Sequence, residues 1–166
     1  MTGEKRRALL EEEVLILRHS GEIPEIALHS SFHYLEEDEE GPNIRLEKEE
    51  RELLCQAALS RAREIVLRDL DPANRGRSIY RGPARSIVNW QRLENFCRRI
   101  NRDCPGFKEE VARALLRFLE KELEDVRQGK VTVVNCTTGE LESFCRKLHL
   151  DPECLPPGWD CLCLKE

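Results

Sequence analysis

Apolar residues recur along most of the chain at three- and four-residue steps, the period of a helix with one buried side. Leu9, Leu10, Val14 and Leu17 mark a first helix over 4–19, with Gly21 and Pro24 as breakers behind it. Residues 24–37 carry two patterns at once. Ile26, Leu28, Phe32 and Tyr34 alternate as in a strand, whereas Ile23, Ala27 and the acids that follow suit a helix, and the helical flanks decide for helix. The longest helix is expected over 47–70, with Leu53, Leu54, Ala57, Ala58, Ile65 and Leu70 as its buried side. Glu47, Glu49, Glu50 and Glu52 load its first turns with the charge that a helix N-terminus favours. Asp71-Pro72 ends it. Pro83, whose fixed φ suits a first helical position, opens the next helix, which runs to about 102. Val111, Leu115, Phe118, Leu119, Leu123 and Val126 then form one stripe on a helix over 107–128, and Gly129 is its stop.

Beyond Gly129 the pattern changes. Lys130-Val131-Thr132-Val133-Val134 is β-branched and reads as a short strand. Thr137 with Glu140 three residues later is a capping box, opening a short helix to about Leu150. This segment resembles the first helix of a helix-turn-helix, but Pro156-Pro157-Gly158 breaks the reading helix that should follow. The chain shows no internal repeat. The expected fold is therefore mainly α: a bundle of about five helices over 1–129, with a small Cys-rich appendage at 130–166 packed on it.

Composition narrows the class further. With 166 residues the chain suits one compact domain with a small appendage. Aromatic residues make up only 5%, so Leu, Ile, Val and Ala must fill the core. No apolar run approaches the ~18 residues of a membrane span, and Met1-Thr2-Gly3-Glu4-Lys5 lacks the apolar centre of a secretory signal. The expectation is a cytoplasmic protein with no membrane partner.

The net charge of -5 hides a segregation. Residues 1–60 hold 7 basic and 15 acidic side chains, and residues 61–102 hold 11 and 4, every one of the eleven being Arg. At ~100° per residue, Trp90, Leu93, Phe96, Cys97 and Ile100 share one side of the helix after Pro83, while Arg85, Arg92, Arg98, Arg99 and Arg102 cover the other. Arg75, Arg77 and Arg81 precede it in a loop, beside a helix start at Gly82-Pro83 whose unpaired N–H groups favour an anion. Guanidinium groups bind carboxylate and phosphate in bidentate fashion. Arg75, Arg77, Arg81, Gly82, Arg85, Arg92 and Arg99 are thus the expected surface for an acidic protein or a phosphate-bearing ligand, with nucleic acid as an alternative. A competing expectation is that Glu36 to Glu40 or the first helix neutralise this belt, or that a second copy of the chain does.

Eight cysteines invite metal or redox chemistry. Cys55 and Cys97 fall in apolar-periodic helices and read as core. His29 and His33 share a helix face, but the intervening Ser30-Ser31-Phe32 lacks the Glu of a metalloprotease helix. Cys145 and His149 are four apart on the short helix, followed by Cys154, Cys161 and Cys163, and could close a tetrahedral zinc site. No Cys-x-x-Cys is present, so filling of a small core and disulfide chemistry stand beside zinc. No phosphate loop, dinucleotide fingerprint or nucleophile elbow occurs, and no catalytic group is assigned. The sequence points to an interaction or regulatory protein working through its arginines, with a metal-binding or redox tail as the other alternative.

Overall fold

The computed structural model describes residues 3–19, 47–74, 82–99, 107–130 and 134–165, with backbone alone at 98 and 99. The fold is mainly α, as the apolar periodicity predicts; among the described residues there are five α-helices, four of them within 1–129, and no strand. They are α1 (Gly3–His19), α2 (Lys48–Leu70), α3 (Pro83–Arg99), α4 (Lys108–Arg127) and α5 (Thr138–Lys147). Short 3-10 turns follow at Pro72–Asn74, Pro152–Cys154 and Trp159–Leu162. The helix expected at 24–37, the acids Glu36 to Glu40, the His29–His33 pair and most of the strand expected at 130–134 lie outside the described residues.

Contacts group the chain into two compact units, residues 1–65 with 89–105, and residues 66–88 with 106–166. In the first, Leu10, Val14 and Leu17 of α1, Leu54, Ala58, Ala62 and Ile65 of α2, and Trp90, Leu93, Phe96 and Cys97 of α3 are buried. Cys55 and Cys97 are both fully buried, so each fills core as a small apolar group. Glu13 joins this buried set from α1. A forked ion pair ties α1 to the start of α2. Arg6 Nε donates to Glu50 Oε2 at 2.7 Å, and Arg6 Nη2 donates to Glu50 Oε1. One expectation fails here: Leu53 is 44% exposed, because the buried side runs through Leu54, Cys55, Ala57, Ala58 and Ala62 instead.

The second unit is built around α4, whose Val111, Ala114, Leu115, Phe118 and Leu119 are buried. Beyond Leu119 the predicted stripe breaks down. Val126 is 43% exposed, while Glu122 and Asp125 are buried. Positions 111, 115, 118, 122 and 125 keep one helix side, so α4 carries its face straight on and carboxylates occupy the last two places. Burying charge is costly unless it is paired. Asp125 meets the ammonium groups of Lys121 at 3.3 Å and Lys130 at 3.8 Å.

The tail is held by backbone devices. Pro156-Pro157-Gly158-Trp159 turns with Trp159 N–H on Pro156 O at 3.1 Å and Gly158 left-handed at φ 89°, ψ 3°. Pro at the second and Gly at the third position are what a type II turn requires. The Trp159–Leu162 turn packs on α4, and the Pro152–Cys154 turn packs on α5. After Leu162 the chain passes alongside the segment that leads into α5, and a parallel bridge joins Thr137 to Leu164.

Candidate functional site

The arginine segment starts from Gly82, which is buried and left-handed at φ 83°. That conformation is easy for glycine and strained for most residues. It turns the chain into Pro83, the first residue of α3 as the sequence predicts. Gly82 O accepts from both Arg85 N–H at 3.1 Å and Ser86 N–H at 3.4 Å. Pro83 has no N–H, so few donors of this helix end are left for an anion. Ser86 is buried and its hydroxyl donates to Val66 O at 3.1 Å, fixing the first turn of α3 to the last turns of α2.

Arg85 and Arg92 are half-buried, and both interact with their surroundings. Nearer the start of the basic segment, Arg61 pairs with Glu64 at 2.9 Å and Arg68 with the buried Asp69 at 3.4 Å. Arg75, Arg77 and Arg81 lie outside the described residues, as does the side chain of Arg99. Ile87, two residues after Arg85, lines a mainly apolar groove of about 290 Å³ with Gly139, Glu140, Ser143, Phe144 and Lys147. On the α3 wheel Ile87 points away from Arg85 and Arg92, so the groove lies off their side of the helix.

The tail residues considered for zinc are not gathered. Cys145 is buried, whereas Cys154, Cys161 and His149 are exposed. Among the described residues no group of three or more His, Cys, Asp or Glu is placed to hold a metal ion. His149 has a backbone task instead. It sits left-handed at φ 58°, with its N–H on Arg146 O at 3.1 Å, while Leu150 N–H bonds Cys145 O at 2.8 Å. That pair of bonds is the Schellman closure of α5, and His149 occupies the place usually given to Gly.

The structure does bring together two cysteines that spacing alone kept apart. Cys136 precedes the capping residue Thr137, and Cys163 precedes Leu164, the partner of Thr137 in the bridge. Leu164 N–H donates to Cys136 O at 2.9 Å. Cys136 is fully buried and Cys163 partly exposed. Burial pushes the Cys136 thiol up to about 12, with the neighbouring Cys163 and Glu140 adding to it. Burial also raises Cys163, while the Thr138 hydroxyl and the Cys136 thiol pull the other way. Cys145 is pushed up to about 11, again chiefly by burial.

The capping box fixes where this pair begins. Thr137 Oγ1 accepts from Glu140 N–H at 3.2 Å, and Glu140 Oε1 accepts from Thr137 N–H at 3.3 Å. Thr137 and Glu140 were legible in the sequence; the partnership of Cys136 with Cys163 was not, since it depends on the return of the chain through the Pro156–Trp159 turn.

No helix among the described residues is long and apolar enough to cross a membrane. No curated protein and no solved structure matches the chain. Residues 5–150 match, in a single span, a family described as a repeat of unknown function (DUF7826). The span runs from α1 through α5 and stops short of Cys154, Cys161 and Cys163. Since it takes in most of the sequence, the chain belongs to this family.

Proposed function

We propose that the protein is a binding module whose arginine-rich segment, Arg75 to Arg99, engages an acidic surface of another protein. The observation that carries this reading is the segregation of charge: eleven Arg and four acids over 61–102, inside a chain of net charge -5. Such a local field attracts an acidic partner that the molecule as a whole would repel. One feature supports it: Gly82, Pro83 and the Ser86 bond to Val66 O give the start of α3, which carries Arg85, a fixed backbone.

Arg85 and Arg92 already interact with their surroundings, so binding here exchanges or extends existing contacts. The full chain is to be run over immobilised polyglutamate and over duplex DNA at rising salt. Retention on polyglutamate at low salt, lost when Arg75, Arg77 and Arg81 are changed together to Gln, is the expected result. Stronger retention on DNA, with log K falling against log salt at about 0.9 per phosphate contacted, would assign the surface to nucleic acid. No retention on either would end the reading.

A further inference from the structure

Cys136 and Cys163 stand one residue before the two members of a parallel bridge, Thr137 and Leu164. In a parallel pair, residues one step back from a bridged pair also face each other, with side chains on the same side. Adjacent strands lie ~4.8 Å apart. A disulfide needs Cα atoms roughly 4.4–6.8 Å apart. Parallel register carried one step back from this bridge brings the two residues to about that separation, and the Leu164 N–H to Cys136 O bond of 2.9 Å fixes the register. The Cys163 thiol donates to Trp159 O at 3.9 Å, and each cysteine feels the other electrostatically. Cys145 is near enough to Cys136 for its charge to be felt there, but it lies on α5, off the paired segments.

The two sulfurs differ in access. Cys163 is partly exposed, and its thiolate would be met by the Thr138 hydroxyl and the Cys136 thiol. Cys136 is fully buried. An outside reagent reaches Cys163 first, and Cys136 can act only on what Cys163 has become.

We propose that Cys163 and Cys136 form a reversible thiol modification site for small-molecule disulfides of the glutathione type, with Cys163 as the attacking and Cys136 as the resolving residue. Cys163 loses its proton to solvent, and its thiolate attacks one sulfur of oxidised glutathione. The glutathione S–S bond breaks, a mixed disulfide forms on Cys163, and one glutathione leaves as thiolate and takes up a proton. Cys136 then gives up its proton and attacks the Cys163 sulfur, and the second glutathione leaves in the same way. Two protein thiols are oxidised to one disulfide, and one glutathione disulfide is reduced to two thiols. The bond ties the end of the tail to the segment that starts α5. Because burial holds both thiols mainly protonated, closure is slow near neutrality and accelerates as the pH rises.

The test uses the full chain carrying Cys154→Ser and Cys161→Ser, which removes the two exposed thiols among the described residues. The protein is reduced, desalted and incubated with oxidised glutathione at about pH 8, where a reference thiol is partly ionised. Free thiols are then blocked, and intact mass and non-reducing peptide maps are recorded. Loss of two hydrogen atoms, a Cys136–Cys163 cross-link and no retained glutathione are expected, all reversed by dithiothreitol. Adding Cys136→Ser should halt the reaction with one glutathione on Cys163. Should that variant not fold by circular dichroism, the map of the background protein decides alone. A first bond between any other pair, or glutathione persisting on Cys163 while Cys136 is intact, overturns the assignment.

Discussion

The two compact units hold their helices by different means. In the unit of residues 1–65 and 89–105, the 17-residue α1 and the part of α2 up to Ile65 each present several turns of apolar side chain to a core. The forked Arg6–Glu50 pair joins α1 to the start of α2, where Glu47 N–H also donates to Glu50 Oε1 at 2.8 Å. The tail of the other unit has a ten-residue helix and two 3-10 turns of three and four residues. Helices that short are unstable by propensity alone. Each is closed at its ends by a specific device: the Thr137–Glu140 box, the Asp151 carboxylate on Glu153 N–H at 2.9 Å, the left-handed Gly158 and the Schellman closure at His149. Long elements are specified by their faces, short ones by their termini and by a few large anchors.

The largest expected effect removes such an anchor. Phe144 is 1% exposed and is the bulkiest buried side chain of α5. Phe144→Ala should cost about 3–5 kcal/mol in urea unfolding, since a helix of this length has few other contacts to compensate. A loss under about 1 kcal/mol would mean that the caps, not the core, hold the tail.

In the first unit the comparable probe is electrostatic and smaller. The Arg6 guanidinium holds the Glu50 carboxyl below its ordinary range, mainly through the forked hydrogen bonds, with Glu47 N–H adding to it. A carboxylate with a lowered folded pKa stabilises the fold above its unfolded value of about 4.3. That contribution disappears as the pH falls through the folded value. Arg6→Gln should therefore cost about 1 kcal/mol near neutrality, and its curve should meet that of the wild type in acid. A constant gap at every pH would show that the stem of Arg6, rather than its charge, matters.

These differences also decide what the sequence could reveal. Periodicity located α1 to α4 and the capping box located α5, and Pro83, Thr137 and Gly129 marked three helix ends, because each of those signals is local in the chain. Leu53 and Val126 were misplaced because apolar identity was taken to imply burial. The faces of α2 and α4 instead follow geometry, to the point of burying Glu122 and Asp125. Cys136 and Cys163 are brought together by a turn at Pro156–Trp159 and one bridge, which no spacing rule encodes. The run of arginines was legible as charge, but Arg75, Arg77 and Arg81 fall outside the described residues.

The smallest expected effect compares two closures of the same design. At the end of α4, Gly129 lies at φ 82°, with its N–H on Val126 O and the Lys130 N–H on Asp125 O. At the end of α5, His149 takes the same place at φ 58°. Glycine accepts that conformation freely, whereas a residue with a Cβ is strained by ~1–2 kcal/mol. Gly129→Ala should destabilise by about 1 kcal/mol through φ alone, since an added Cβ meets nothing within 4 Å. His149→Gly should stabilise by about 0.5 kcal/mol, the relief of strain being partly offset by the greater freedom of glycine in the unfolded chain. Opposite signs from paired urea titrations would show that His149 is tolerated in its place rather than required. A loss of stability in His149→Gly would instead show that its exposed imidazole makes a contact worth more than the strain of its backbone.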